Sequence, residues 1–299
     1  MSLFDRIVVA SIPMIPKFVV GKVAAPYVAG ETLDDGLRTA RELNSKGIMA
    51  TMDVLGEFVH EKDKAEESVK QYLALISGIA RDKLDANISV KLTALGLDID
   101  PQYVRQNVRR IMAAAAEHEM FVRIDMEDSP RTDATVDIYR EMRKEFRCGL
   151  VVQAYLKRTA EDARKLCAEG PSNFRLCKGI YVEPEAIAYK AKQEIRDNFM
   201  RVLDQMFGDG AYVGIATHDE YLTKAAEELI KKRKLSRDKY EFQMLLGVKP
   251  DLRDSLVKRG HRLRVYVPFG ESWYGYCTRR LKENPAIAGY VAKAMIGLN

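Results

Sequence analysis

At 299 residues, with 47% hydrophobic and 30% charged residues, the chain has the makeup of a soluble globular protein with a sizeable core, in one large domain or two ordinary ones. Its net charge of +5, from 48 basic against 43 acidic residues, is mild for this length. Basic runs such as Lys231-Lys232-Arg233-Lys234 lack interleaved aromatics, so the run reads as a solvated helix face and nucleic acid is not an expected partner.

Residues 1–45 read as an N-terminal helical segment packed on the domain that follows. The apolar stretch Ile7–Gly30 is broken by Pro13, Pro16, Pro26, Lys17 and Lys22, whereas a spanning helix needs about 20 uninterrupted apolar residues. Asp5 beside Arg6 is not the basic start of an export signal. The four cysteines, Cys148, Cys167, Cys177 and Cys277, have neither zinc-site nor C-x-x-C spacing. Free thiols in a reducing cytoplasm are the expectation.

Over 46–299 short apolar runs alternate with longer helical patterns. The strands are expected at Ile48–Val54, Ile88–Ala94, Phe121–Met126, Leu150–Tyr155, Phe174–Ile180, Tyr212–Thr217, Phe242–Leu246 and Leu263–Val267. Helices are expected near 62–82, 101–118, 132–146, 158–169, 184–207, 220–235, 250–260 and 271–283, with Pro101, Pro184 and Pro250 in first turns. Eight strands, each followed by a helix, is the pattern of a (β/α)8 TIM-type barrel. An open doubly wound sheet is the competitor, but no strand is followed by a glycine-rich nucleotide loop.

One parity of several strands is polar: Ser89, Lys91 and Thr93; Arg123, Asp125 and Glu127; Arg175 and Tyr181; Glu241 and Gln243; Arg264 and Tyr266. Gln153 and either Thr217 or His218 extend the set. Helix-facing positions must be apolar, so this parity faces the lumen. Buried polar groups need partners, so a polar ligand is expected at the C-terminal mouth of the barrel. Lys91 with Asp125 is the expected buried ion pair, its role structural or catalytic. Lys178 breaks the parity of Arg175 and Tyr181, which requires a bulge or a strand end there. Gly179 would admit a ligand close to the backbone, and the cations Arg175 and Lys178 suit phosphates or an electron-rich ring. Of the four histidines only His218 is well placed, and no cluster suggests a metal. Tyr276, Arg279, Arg280 and Glu283 share one face of the last expected helix. Their paired guanidiniums suit a carboxylate.

Together these residues resemble the proline dehydrogenase family in its short monofunctional form. The matching motifs are Thr51-Met-Asp53-Val-Leu-Gly-Glu57, Val90-Lys91-Leu-Thr-Ala-Leu-Gly96, Ile124-Asp125-Met-Glu127, Val152-Gln153-Ala-Tyr155 and Arg175-x-x-Lys178-Gly179-x-Tyr181. They continue with Ala216-Thr217-His218, Glu241-Phe-Gln-Met-Leu245, Tyr266-x-Pro268-x-Gly270 and Tyr276-x-x-Arg279-Arg280-x-x-Glu283-Asn284. The resemblance implies a distorted barrel whose last helix lies over the mouth. It implies non-covalent FAD, oxidation of L-proline to Δ1-pyrroline-5-carboxylate by hydride transfer to flavin N5, and electrons passed to a membrane quinone. By that resemblance Arg279 and Arg280 clamp the carboxylate with Lys91 near, while Asp125 and Glu283 hold the cations. Tyr181, Leu245, Tyr266 and Tyr276 wall the ring. Arg175 and Gln153 approach the flavin, and Lys178, Gly179, Thr217 and His218 contact the rest of FAD. A separate pyrroline-5-carboxylate dehydrogenase is the expected downstream partner. The expected location is the cytoplasm, with the apolar N-terminal segment or the Ile287–Leu298 tail available for peripheral contact with the inner face of the membrane. The alternatives are a flavin barrel for another substrate, such as a folate-type reductase, and a catalytically silent scaffold.

Overall fold

A computed structural model describes residues 25–276. The expectations placed on the Ile7–Gly30 stretch before residue 25, and on Cys277, Arg279, Arg280, Glu283 and the Ile287–Leu298 tail, lie outside the described residues. Helix α1 (Leu33–Asn44) opens with a reciprocal cap between Thr32 and Asp35, which satisfies amides the first turn would leave unpaired. It presents Leu37, Ala40 and Leu43 to the core.

The chain then alternates strand and helix. The strands are β1 (Met49–Val54), β2 (Ala86–Val90), β3 (Val122–Ile124), β4 (Cys148–Gln153), β5 (Asn173–Cys177), β6 (Tyr212–Ala216), β7 (Tyr240–Leu245) and β8 (Leu263–Phe269). Between them run α2 (Lys62–Arg81), α3 (Pro101–Ala116), α4 (Thr132–Met142), α5 (Thr159–Ala168), α6 (Lys192–Gly208), α7 (Glu220–Lys232) and α8 (Pro250–Lys258). Every strand pairs in parallel with its sequence neighbours, and β8 returns to β1, closing the expected (β/α)8 barrel. Pro101 and Pro250 begin α3 and α8 as expected.

Two element expectations need correction. The second strand stops at Val90, and Leu92–Leu95 form a 3-10 turn, so Thr93 leaves the strand it was assigned to. The sixth helix begins at Lys192 rather than at Pro184. In the intervening loop the Leu156–Ala188 bridge and the Tyr189 amide bond to the Tyr155 carbonyl tie the chain to the end of β4. Long-range backbone pairing there outweighs the local helical pattern.

Alternation along the strands divides the core in two. Ala50, Met52, Ile88, Val90, Ile124, Leu150, Phe174, Leu176, Val213, Ile215, Phe242, Met244 and Val265 are buried in one hydrophobic cluster with the inner faces of the helices. The other parity fills the lumen with polar side chains. At the N-terminal end Arg123 donates to the Asn173 side chain at 2.6 Å and packs on the Phe121 ring. Across the lumen Arg264 Nε meets Glu241 Oε1 at 2.8 Å, and Glu241 also accepts from Tyr212 and Gln243. Room for these long side chains comes from glycine on neighbouring strands. A Cβ on Gly149 would collide with Arg123 Nη1, and one on Gly214 would lie 2.5 Å from Gln243 Nε2.

Burial pushes the Glu241 carboxyl up, but Arg264 and the hydrogen bonds to it prevail and bring it down to about 2 from 4.5. Its stabilising contribution is therefore fully present above pH 4.5 and is lost as pH falls toward 2. Glu241→Gln should leave Arg264 buried without its counter-charge and cost about 3–5 kcal/mol in urea unfolding near neutral pH. A loss below about 1 kcal/mol, the value of an exposed pair, would contradict this placement.

Candidate active site

Toward the C-terminal ends of the strands the polar parity converges on one carboxylate. Asp125, the residue after β3, continues the ladder through its amide to the Val90 carbonyl, which fixes its side chain inward. Its Oδ1 accepts from Ser89 at 2.6 Å and from Arg175 Nη1 at 2.8 Å, and its Oδ2 accepts from the Tyr266 hydroxyl at 3.1 Å. Lys91 Nζ stands 3.8 Å from the same carboxylate. Its closest partner is Asp53 on β1, at 2.6 Å. Lys91 also donates to the Tyr266 hydroxyl at 3.1 Å, so that phenol accepts from lysine while donating to Asp125. The Tyr266 ring lies beneath both cations, 5.2 Å from the Arg175 guanidinium and 5.9 Å from Lys91 Nζ.

These contacts settle the charge states. Burial works against the Lys91 ammonium, but Asp53, Asp125 and Glu57 outweigh it and hold its pKa above the ordinary value. Burial raises the Asp125 carboxyl, while Arg175, Lys91 and the hydrogen bonds from Ser89 and Tyr266 bring it below the usual range. Asp53, fully buried, is pushed up despite Lys91. Burial and the two carboxylates keep the Tyr266 phenol protonated well beyond its normal range. The result is two fixed cations and a neutral phenol facing the mouth.

Among the buried side-chain atoms without a partner, which include Arg123 Nε at the other end of the lumen, Arg175 Nη2 is the one beside Lys91 and Tyr266. Arg175 Nε donates to Gln243 at 2.6 Å and Nη1 to Asp125, but Nη2 is buried with no hydrogen-bond partner among the described residues. An orphaned guanidinium donor of this kind costs free energy unless a ligand accepts from it. Close by, Gln153 uses its amide nitrogen on the Glu127 carbonyl, which leaves its oxygen as an acceptor. His218 Nε2 accepts the Leu245 amide proton at 2.8 Å, so its own proton sits on Nδ1 as a donor. Burial, reinforced by Lys178 and Lys249, lowers the ring to about 4, keeping it neutral. Thr217 Oγ1 takes the Asp219 amide, and Asp219 holds Lys178 Nζ at 3.4 Å with Lys178 still partly exposed. One unpartnered guanidinium N–H, an imidazole N–H and a tethered lysine as donors, with an amide oxygen as acceptor, fit an electron-rich ring bearing phosphates. Among the described residues no group of three His, Cys, Asp or Glu side chains is placed to hold a metal.

A family model described as proline dehydrogenase matches residues 36–293. The chain belongs to the proline dehydrogenase family. Curated family members resemble it over most of both chains. Proline dehydrogenase 2 of Bacillus subtilis (strain 168) is 39% identical, covering 91% of this chain and 90% of the relative. Proline dehydrogenase of Deinococcus radiodurans is 34% identical, covering 92% and 90%. Among solved structures, proline utilization A from Bdellovibrio bacteriovorus, inactivated by N-propargylglycine, superposes with a TM-score of 0.82 at 25% identity. That match covers 88% of this chain and 33% of the other, so this chain spans about a third of that longer protein. Proline utilization A from Corynebacterium freiburgense, at a TM-score of 0.77 and 21% identity, shares the fold.

Most of the site residues expected from family motifs are described, and four of them meet. Lys91, Asp125, Arg175 and Tyr266 are in direct contact. Leu245 lies opposite Tyr266 in the β7–β8 ladder, and Tyr276 is buried close enough for its phenol to act on Tyr266. Tyr181 lies half-buried beyond the end of β5. That strand ends at Cys177, which accounts for the broken parity of Lys178. One reading changes, and one gains a second reason. The counter-ion closest to Lys91 is Asp53 rather than Asp125; its signal was available, since Thr51 and Asp53 continue the polar parity onto β1. Gly179, at φ +105°, is covered by the Tyr155 ring, with which a Cβ there would collide, so the tyrosine also requires glycine at this position.

The histidine geometry has a direct check. Imidazole nitrogen shifts of His218 should report the Nδ1–H tautomer and a titration near pH 4. A midpoint near the ordinary 6.5 would show that the Leu245 amide bond and the burial are absent in solution.

Proposed function

We propose that the chain is an FAD-dependent proline dehydrogenase, oxidising L-proline to Δ1-pyrroline-5-carboxylate and passing the electrons to a quinone. The observation that carries this reading is the buried, unpartnered Arg175 Nη2 beside Lys91, with both cations fixed by Asp125 and Asp53 at the barrel mouth. Membership of the family supplies the substrate.

FAD, when bound, supplies the two-electron acceptor that takes hydride from carbon 5 of the substrate. The protein's task is to bind and orient. Lys91, held charged by Asp53, offers its ammonium to the substrate carboxylate, together with Arg279 and Arg280 from the segment that follows Tyr276. Glu283 would be their counter-charge. Tyr266, Tyr276, Tyr181 and Leu245 form walls for an apolar five-membered ring. Arg175 directs its free donor toward the flavin ring, where a fixed cation favours added electrons. Gln153 and His218 offer an acceptor and a donor, and Lys178, Gly179 and Thr217 line the same side. The positive field from Lys91 and the arginines also favours the neutral substrate amine, the form whose lone pair assists hydride departure. Product would pass to a separate pyrroline-5-carboxylate dehydrogenase. Among the described residues no helix is long and apolar enough to cross a membrane.

The purified protein should be yellow, and anaerobic L-proline should bleach its flavin absorbance. A colourless protein that cannot be reconstituted with FAD would overturn the cofactor reading, and a flavoprotein indifferent to proline would overturn the substrate. Arg280→Ala should raise the KM for proline by about tenfold to a hundredfold, the value of one charge-assisted hydrogen bond, with FAD still bound. Loss of FAD at unchanged KM would assign that arginine to the other ligand.

A further inference from the structure

Glu127 is fully buried beside the site, yet the proposed chemistry gives it no task. Its two oxygens both go to one residue. Oε1 accepts the Thr93 amide at 3.0 Å, and Oε2 accepts the Thr93 hydroxyl. That hydroxyl in turn accepts the Phe58 amide at 3.0 Å, and the Thr93 carbonyl accepts the Val59 amide at 3.1 Å. Phe58 and Val59 belong to the loop between β1 and α2, which also carries Glu57. Phe58 has φ +57°, a left-handed conformation that a bulky side chain adopts only when its surroundings impose it. The Arg131 guanidinium over its ring, 5.1 Å from the centroid, supplies a second restraint. Glu57 stands near enough to Lys91 for its charge to help hold the ammonium, and it lines a groove of about 760 Å³ shared with Leu55, Gly270 and Tyr276.

We propose that Glu127 is a positioning residue that latches the β1–α2 loop through the Thr93 hydroxyl and so keeps the Glu57 carboxylate beside Lys91 at the barrel mouth. The direction of the bonds decides the required state. An ionised Glu127 only accepts, so the Thr93 hydroxyl must donate to it, leaving the hydroxyl lone pairs to the Phe58 amide. A protonated Glu127 can donate to that hydroxyl, taking one of its two lone pairs, reversing the bond and leaving to the Phe58 amide a less constrained acceptor. Burial raises the Glu127 carboxyl to about 7; the two Thr93 bonds and Lys91 favour the carboxylate, and Glu57 opposes it. The latch is therefore tightest above neutral pH and weakened below it.

The kinetic consequence rests on proline being the substrate, whereas the latch itself can be read without activity. Glu127→Gln places an amide donor against the Thr93 hydroxyl and should mimic the protonated state. In hydrogen–deuterium exchange near pH 8, the Phe58 and Val59 amides should exchange about fivefold faster than in the parent, the scale of one lost hydrogen bond. The difference should close as pH falls through about 7. The KM for proline should rise by a similar factor with little change in kcat, again converging with the parent at low pH. Thr93→Val should reproduce the exchange result and Thr93→Ser should behave as the parent, which covers the case in which Glu127→Gln fails to fold. Parent-like exchange at Phe58 and Val59 in Glu127→Gln or in Thr93→Val would overturn the latch. The expected exchange difference in a protein inert toward proline would support the latch and remove the substrate reading instead.

Discussion

The structure turns on the carboxylate of Asp125. Inside the barrel it accepts from Ser89, Arg175 and Tyr266 and faces Lys91, so one anion orients two cations and a phenol drawn from β5, β8 and the end of β2. Without it, Arg175 and Lys91 would be cations in a dry lumen, a state that costs several kcal/mol per charge. With it, they are fixed and charged, which is what a site for a carboxylate and an electron-rich ring requires. The Asp53–Lys91 pair repeats the arrangement on the next strand.

A lumen this polar is a departure from barrels filled with Val, Ile and Leu. It is sustained by dividing the charges into layers. Glu241 and Arg264 neutralise each other at the N-terminal end, Arg123 rests on Asn173 and Phe121, and Gly149 and Gly214 vacate the volume the long side chains need. Arg123 keeps a buried Nε without a partner at the lower end as Arg175 keeps Nη2 at the upper end, but only the Arg175 donor lies beside Lys91 and Tyr266, where the proposed ligand would meet it.

Much of this was legible in the sequence because strand alternation is a local property. The polar parity of Lys91, Asp125, Arg175, Glu241, Arg264 and Tyr266 identified the lumen face before any contact was known, and the observed register places them there. What alternation cannot supply is which partner lies nearest across a closed sheet. Lys91 lies within reach of carboxylates on both neighbouring strands, and side-chain reach rather than parity selected Asp53 over Asp125. The 3-10 turn at Leu92–Leu95 and the non-helical loop before Lys192 were missed for a related reason, since backbone contacts with distant residues decide them. Gly179 shows the same limit: its freedom serves the Tyr155 ring, a neighbour invisible from the motif.

The central claim is that the free donor of Arg175 faces a flavin ring. The two-electron midpoint potential of the bound flavin in Arg175→Gln, compared with the parent, tests it most directly. Removing a fixed cation from beside the ring should make the potential more negative, because the reduced, anionic ring loses that stabilisation. A flavin that stays bound with an unchanged potential would show that Arg175 serves the barrel alone.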